Sequence, residues 1–391
     1  MSRIRKTTIL CAVFALSVAM VIGSTGPAAA RGEYKIGALF ATSGPASMLG
    51  LPEKNTVSML EESINSQGGI NGIPVKVVIY DTQADPSKTV TAAKKLIKKD
   101  NVDVIIGPTT SGATLAIIDV VQKAEVPLIS CAASVRIIQP VKKWVFKTPQ
   151  TDVMAVEKIY AKLQKEGKKK VAIITVSNGF GDSGRVQLKK FAEKYGITIV
   201  ADERYGSKDT DMTVQMTKIK GTDAEAIICW GTNPGPAVIA KNRKQLGITI
   251  PLYNSHGVAS KKFIELAGDS ANGTFLPAGR LLVVNQLSDS DPQKAVLLNY
   301  KNNYEKKFGG SANTFGGHAY DAFSIAVEAL KNLSDKKIEP TRAAIRSEIE
   351  KIRGFVGTGG VFNFSPEDHN GLTKDDFVMI EIKDGDWTLA K

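Results

Sequence analysis

Residues 102–134, VDVIIGPTTSGATLAIIDVVQKAEVPLISCAAS, constrain the fold more than any other stretch. Their first part, 102–106, is a short β-branched run of the kind buried on both faces of a parallel sheet. Gly107-Pro108 ends that run, and Thr109, Thr110, Ser111 and Gly112 form a small-polar loop. Leu115, Ile118 and Val121 then recur at helical spacing. After Pro127 a second short run, Leu128-Ile129, ends in Ser130-Cys131-Ala132-Ala133-Ser134. Two parallel strands thus deliver hydroxyls and backbone N–H groups to one sheet edge, outside the carboxyl ends, where open α/β sheets bind ligands. A loop that opens a helix adds free N–H donors and the positive end of the helix dipole. The expectation is a cradle for a carboxylate, with Ser111 and Ser134 supplying hydroxyls.

The start of the 391-residue chain reads as a targeting segment. Arg3, Arg5 and Lys6 are basic, 9–22 is mostly apolar, and Ala28-Ala29-Ala30 is a small-residue cleavage signature. A signal peptide over 1–30 and a periplasmic location are therefore expected. Cys11 lies inside the apolar run rather than at its end, which argues against lipid attachment, and Ile4 separates Arg3 from Arg5, so this is no twin-arginine signal. The remainder suits two domains and contains no further apolar run of about 18 residues. The net charge is +12, and the basic runs Lys142-Lys143 and Lys168-Lys169-Lys170 sit beside turns with little aromatic interleaving. They read as solvated surface, not a nucleic-acid interface, although a positive field speeds encounter with an anion. Cys131 and Cys229 each end a separate buried strand, which favours free thiols over a bridge. His256, His318 and His369 lie too far apart for metal-ligand spacing. No metal and no cofactor are expected.

In chain order the pattern is strand and helix in alternation. Strands are expected at 34–40, 74–80, 102–106 and 128–129, and again at 171–176, 197–202, 226–230 and 251–253, with helices between them. Beyond Gly273 come a strand at 281–284, helices near 292–308, 315–332 and 341–351, and β segments at 361–364, 377–382 and 387–389. Repeated β-α units imply doubly wound parallel sheets with right-handed crossovers. The fold class is α/β: two such lobes joined by a multi-crossing hinge. The first lobe is expected over 31–148 with 278–353, the second over 149–277 with 354–391.

Two motifs suggest chemistry. Gly179-Phe180-Gly181-Asp182-Ser183-Gly184 matches G-x-G-x-x-G, with Asp202 about twenty residues on. The strand ends at Val176, however, so the tight turn onto a pyrophosphate is not in place. The same residues contain Gly-Asp-Ser-Gly, but no histidine and buried aspartate are placed beside Ser183. The preferred reading is a small-residue loop lining a cleft, with Phe180 covering a ligand. Ser111 and Ser134 also fit helix caps, which use the same N–H groups an anion would. Trp230 and Phe180 suit either core or cleft, and Tyr320-Asp321 reads as structural.

Ser43-Gly44-Pro45 after the first strand, Gly68-Gly69-Ile70-Asn71-Gly72, and Ile105-Ile106-Gly107-Pro108 through Ser111 resemble the leucine/isoleucine/valine-binding proteins. These are type I periplasmic receptors of ABC importers, and the likeness covers nearly the whole chain after the leader. It implies two lobes that close on a small ligand, a monomer, and a membrane permease as partner. It also implies ligand contacts at Ser111, at the backbone of Ala132, at Ser134, and at the ring of Phe180. Further contacts fall near Leu49, on Thr232 beside Trp230, and on His256, where the family has the acid that pairs with the ligand's ammonium. Without that acid a buried ammonium is costly by several kcal/mol, so the expected ligand includes aromatic or keto acids lacking the α-amino group. Phe180 and Trp230 would lie against its apolar part. Aliphatic amino acids stay open if Asn233 or carbonyls substitute. A ligand-sensing subunit of a receptor and a secreted NAD-dependent dehydrogenase are the alternatives.

Overall fold

The computed structural model describes residues 31–390, so the leader expected over 1–30 lies outside the described residues. The apolar segment β1 (Tyr34–Phe40) is joined by β2 (Val75–Asp81), β3 (Val104–Ile106), β4 (Leu128–Ser130) and β5 (Val145–Lys147). They form a sheet of order β2-β1-β3-β4-β5 in which every pairing is parallel. Side chains of β1 alternate between faces, as a pleat requires. Ile36, Ala38 and Phe40 enter one core, with Val57 of α1 (Ser47–Ser66), and Leu39 enters the other. That second core is closed by α2 (Pro86–Lys95) and α3 (Ser111–Ala124), through Ala93, Ile117 and Val121.

The second lobe repeats the scheme. β6 (Lys170–Val176), β7 (Thr198–Tyr205), β8 (Ala226–Trp230), β9 (Leu252–Asn254) and β10 (Thr274–Ala278) run parallel. Helices α4 (Asp152–Lys165) and α5 (Gly179–Ala192) cover one face; α6 (Thr213–Lys220), α7 (Gly235–Gln245) and α8 (Lys261–Ala267) cover the other. The strand expected at 281–284 is instead part of a run of tight helical turns, Arg280–Gln286. The ladder position beside β9 is already taken by β10, which follows the Gly273 turn directly.

The C-terminal part serves both lobes. Helices α9 (Lys294–Phe308), α10 (Thr314–Asp335) and α11 (Arg342–Lys351) are followed by a small hairpin, β11 (Phe355–Val356) with β12 (Val361–Phe362). Ala326, Leu330 and Ile345 of α10 and α11 pack on the first sheet. So do Phe362, Phe364 and Leu372, which moves the final change of lobe from 354 to the neighbourhood of Phe377, the first residue whose ring joins the second core. Then β13 (Val378–Lys383) joins the second sheet antiparallel to β10, and β14 (Asp386–Leu389) pairs antiparallel with β13 at its edge.

Polar side chains bind the crossings together. Gln150 donates to Gly359 O at 2.5 Å, and Gln293 to the carbonyls of Gly357 and Thr358 at 2.9 and 3.2 Å. Asp321, fully buried on α10, accepts from the amides of Thr358 and Gly359 at 2.6 and 2.7 Å. Burial nevertheless raises its carboxyl to about 7. Asp321 is thus a brace on the turn at 358–359, while the Tyr320 ring packs on Tyr300. Cys131 and Cys229 are free and buried, and no helix among the described residues is long and apolar enough to cross a membrane.

Candidate functional site

A cavity of about 340 Å³ lies at the carboxyl ends of both sheets. Its first-lobe wall is set by the two turns after β3 and β4. The residue before α3, Thr110, is extended and makes no side-chain cap, so the opening N–H groups of the helix keep their capacity for an anion. Ser111 Oγ accepts from Ser134 N at 3.3 Å, which leaves its proton to donate. The surrounding groups are partnered. Ser130 Oγ accepts from Ala132 N at 3.1 Å and pairs with Thr114 Oγ1 at 2.9 Å. Thr109 Oγ1 accepts from Ala41 N at 2.9 Å and donates to Glu53 behind the wall. Burial holds the Glu53 carboxyl well above the usual range.

Ser111, Ala132 and Leu49 line this wall. Ser134 does not. Its hydroxyl turns away to Ser183 Oγ at 2.6 Å and accepts from Arg136 N at 3.2 Å. Ser183 also bonds Asp152, whose other oxygen accepts from Val135 N at 3.1 Å. Ser134 is therefore a tie between lobes, and the expected second hydroxyl of the cradle is spent there.

The second-lobe wall comes from the turns after β6, β8 and β9. Asn178 caps α5, its Oδ1 accepting from the amides of Phe180 and Gly181 at 3.0 Å each. Those are the donors a pyrophosphate would need, and Asp202, the candidate ribose partner, is bound by Arg185 and Lys189 at 2.5 Å. The glycines instead answer to packing. A Cβ on Gly184 would fall 2.2 Å from the Trp230 indole. One on Gly179 would fall 2.9 Å from Gly112 Cα, so α3 and α5 meet backbone to backbone and the cleft is shut there.

Phe180, Thr232 and His256 line the second wall. Trp230 lies one layer deeper, fully buried, with its ring 5.7 Å from Phe180 and 5.9 Å from His256. The support expected of it is indirect. Burial, helped by His318 and Lys147, pulls the His256 imidazole down to about 3, so it is neutral. His318 is likewise held at about 3 by burial and Lys147. Lys147 itself is buried and donates to Pro149 O behind the wall.

Sequence reasoning assigned no wall role to Phe315 and His318 at the start of α10, or to Tyr205 at the end of β7. The available signals were Asn313, which caps α10 through the amides of Phe315 and Gly316, and the aromatic residue at a strand's carboxyl end. Among the described residues that line the cavity, none is Asp, Glu, Lys or Arg.

The sequence profile described as periplasmic binding protein matches residues 33–386. The chain belongs to the periplasmic binding protein family. A relative of this binding protein is the leucine-, isoleucine-, valine-, threonine- and alanine-binding protein of Pseudomonas aeruginosa, 24% identical over 89% of this chain and 93% of that one. An extracellular ligand-binding receptor from Rhodopseudomonas palustris HaA2 superposes with a TM-score of 0.86 at 29% identity, over 92% of this chain and 100% of that one. The branched-chain amino acid transporter substrate-binding protein of Streptococcus pneumoniae, solved with isoleucine, gives 0.81 at 26% identity over 92% and 99%. The fold is that of the type I periplasmic binding proteins, and the relatives are binding proteins, not enzymes.

Proposed function

We propose that this chain is the extracytoplasmic substrate-binding protein of an ABC importer of the branched-chain-amino-acid type. In this reading 1–30 is a cleaved signal peptide, and the mature chain is a periplasmic monomer. It captures a small carboxylate between its lobes and presents it to a membrane permease. The observation that carries the reading is the uncapped start of α3 beside the Ser111 hydroxyl, in a cavity whose lining has no charged side chain. An anion there gains hydrogen bonds worth about 1.5–3 kcal/mol each. Two or three of them with modest apolar burial reach roughly 8 kcal/mol, a micromolar Kd. No carboxylate stands on the wall to meet an ammonium, and His256 is neutral. The ligand is therefore a carboxylic acid without an α-amino group, aromatic or keto, lying against Phe180. No bond is made or broken: the second lobe contributes Phe180, Thr232 and His256 on closure, which shifts the open–closed equilibrium by the contacts it adds.

A thermal-shift screen of paired acids with and without the amine tests this, because ligand stabilises the native state by mass action. Deaminated acids are expected to raise the Tm more than their amino-acid partners. Stabilisation by amino acids alone would reject the ligand class.

A further inference from the structure

The two walls differ in how their polar atoms are used. Around Ser111 the side-chain hydroxyls of Thr109, Thr114, Ser130 and Ser134 all have partners. On the rest of the lining, Tyr205 (2% exposed), Asn233 (3%), His256 (7%) and His318 (8%) are as deeply buried. Yet Tyr205 OH, Asn233 Oδ1, both nitrogens of His256 and Nδ1 of His318 have no hydrogen-bond partner. The Tyr205 hydroxyl has only the Cys229 thiol beside it, a weak acceptor. Tyr205 cannot swing elsewhere. Its ring sits over the turn after β8, where a Cβ on Gly231 or Gly235 would meet it at 1.9 or 2.4 Å.

A buried donor or acceptor left unpaired costs about 1–3 kcal/mol, and native proteins leave few. Five such atoms gathered on four lining residues mark the end of the cavity where a ligand's own polar group would gain most. A plain aliphatic or phenyl group would leave all of them unpaired. Lys147, buried behind His256 and His318, is held below its ordinary range by burial and donates to Pro149 O, so it offers an anion at that end no free ammonium, and a cation there would meet no carboxylate on the lining. The four side chains instead share one chemistry: neutral imidazole, amide and phenol each both donate and accept. Phe180, standing at 90° to His256 with 5.4 Å between centroids, and Phe315 supply apolar faces beside them.

We propose that the ligand carries, away from its carboxylate, a second and uncharged hydrogen-bonding group, a hydroxyl or carbonyl, read by Tyr205, Asn233, His256 and His318. This rests on the carboxylate reading above and adds the specificity of the opposite end. A site built around a ligand hydroxyl rejects the analogue lacking it far more strongly than a greasy pocket rejects an extra methyl.

The test is calorimetric titration of the mature chain with phenylacetate, 4-hydroxyphenylacetate and 4-methylphenylacetate, and with the aliphatic pair 4-methylpentanoate and 4-oxopentanoate. The oxygen-bearing member of at least one series is expected to bind about 30-fold tighter or more than its counterparts. Tyr205→Phe, which keeps the ring in its cradle, and Asn233→Leu are expected to cut that preference about tenfold or more, read as the ratio of the two dissociation constants within each variant. Equal or tighter binding of the oxygen-free acids overturns the inference and leaves the carboxylate grip standing. Binding by none of these acids, with amino acids binding instead, overturns both.

Discussion

The two sides of the cavity start from the same grammar, a buried strand running into a small-polar turn that opens a helix, and end in opposite states. On the first-lobe side the turns after β3 and β4 are a finished network, in which Ser111 keeps one proton to give and α3 keeps its opening amides. On the second-lobe side the corresponding amides of α5 are closed by Asn178, and the unpaired atoms belong to Tyr205, Asn233 and His256. A finished network grips what ligands of one class share, a carboxylate. An unfinished one decides among them. In the proposed reading, the grip common to these ligands sits around Ser111 and this chain's selectivity on the rest of the lining.

Shutting the walls together matters most for affinity. Gly179→Val puts side-chain atoms where Gly112 now stands, 2.9 Å from the new Cβ. It is expected to weaken the best ligand found by up to about 100-fold, since overpacking costs about 1–3 kcal/mol. Small-angle scattering should then show an expanded chain in the presence of ligand. Ser111→Ala strikes the finished wall alone and should weaken every acid about tenfold or more, by loss of one charged hydrogen bond; an unchanged calorimetric Kd would remove the cradle from this side.

Acidity acts in opposite senses on the buried histidines of the cavity and on the brace behind it. His256 and His318 are held at about 3, against an ordinary 6.5. As the pH falls from 6.5 towards 3 the unfolded chain takes up protons that the folded one refuses, so each imidazole lowers stability by about 1.4 kcal/mol per pH unit. Asp321, held near 7 against 3.8, acts in the opposite sense: the folded chain takes its proton first, and stability rises as the pH drops from 7 to 3.8. His256→Gln should therefore flatten the fall in denaturant stability between pH 6 and 4 by about 1.4 kcal/mol per unit. The smallest effect is expected from Ser134→Ala. Its hydroxyl is spent on Ser183, so stability should drop by about 1 kcal/mol while affinity changes less than about threefold.

Much of the arrangement was legible from the chain alone, because both lobes obey one alternation of short apolar runs and amphipathic helices. Ser111 could be placed at a cleft because strand-end turns deliver their polar groups to one sheet edge, and Phe180 because a small-residue loop opens its helix; Ala132, Leu49, Thr232 and His256 came from the family resemblance alone. What could not be read depends on partners remote in sequence. The direction of the Ser134 hydroxyl is set by Ser183 and Asp152. The depth of Trp230 is set by Gly184. The place beside β9 in the second sheet goes to Thr274–Ala278, a five-residue strand containing a proline, and not to the more apolar 281–284. Segment 354–372 joins the first lobe because Phe362 and Phe364 find their cavity there. None of these choices leaves a periodic trace.

The central claim is a grip on a carboxylate with no counter-charge for an amine, and paired calorimetry tests it most directly. 3-Phenylpropanoate and phenylalanine differ only in the ammonium. With the mature chain the deaminated acid is expected to bind at least about tenfold tighter, and His256→Glu to reverse the preference, because a buried ammonium without a partner costs several kcal/mol. Phenylalanine binding as tightly as 3-phenylpropanoate, with His256→Glu leaving the ratio unmoved, would contradict it.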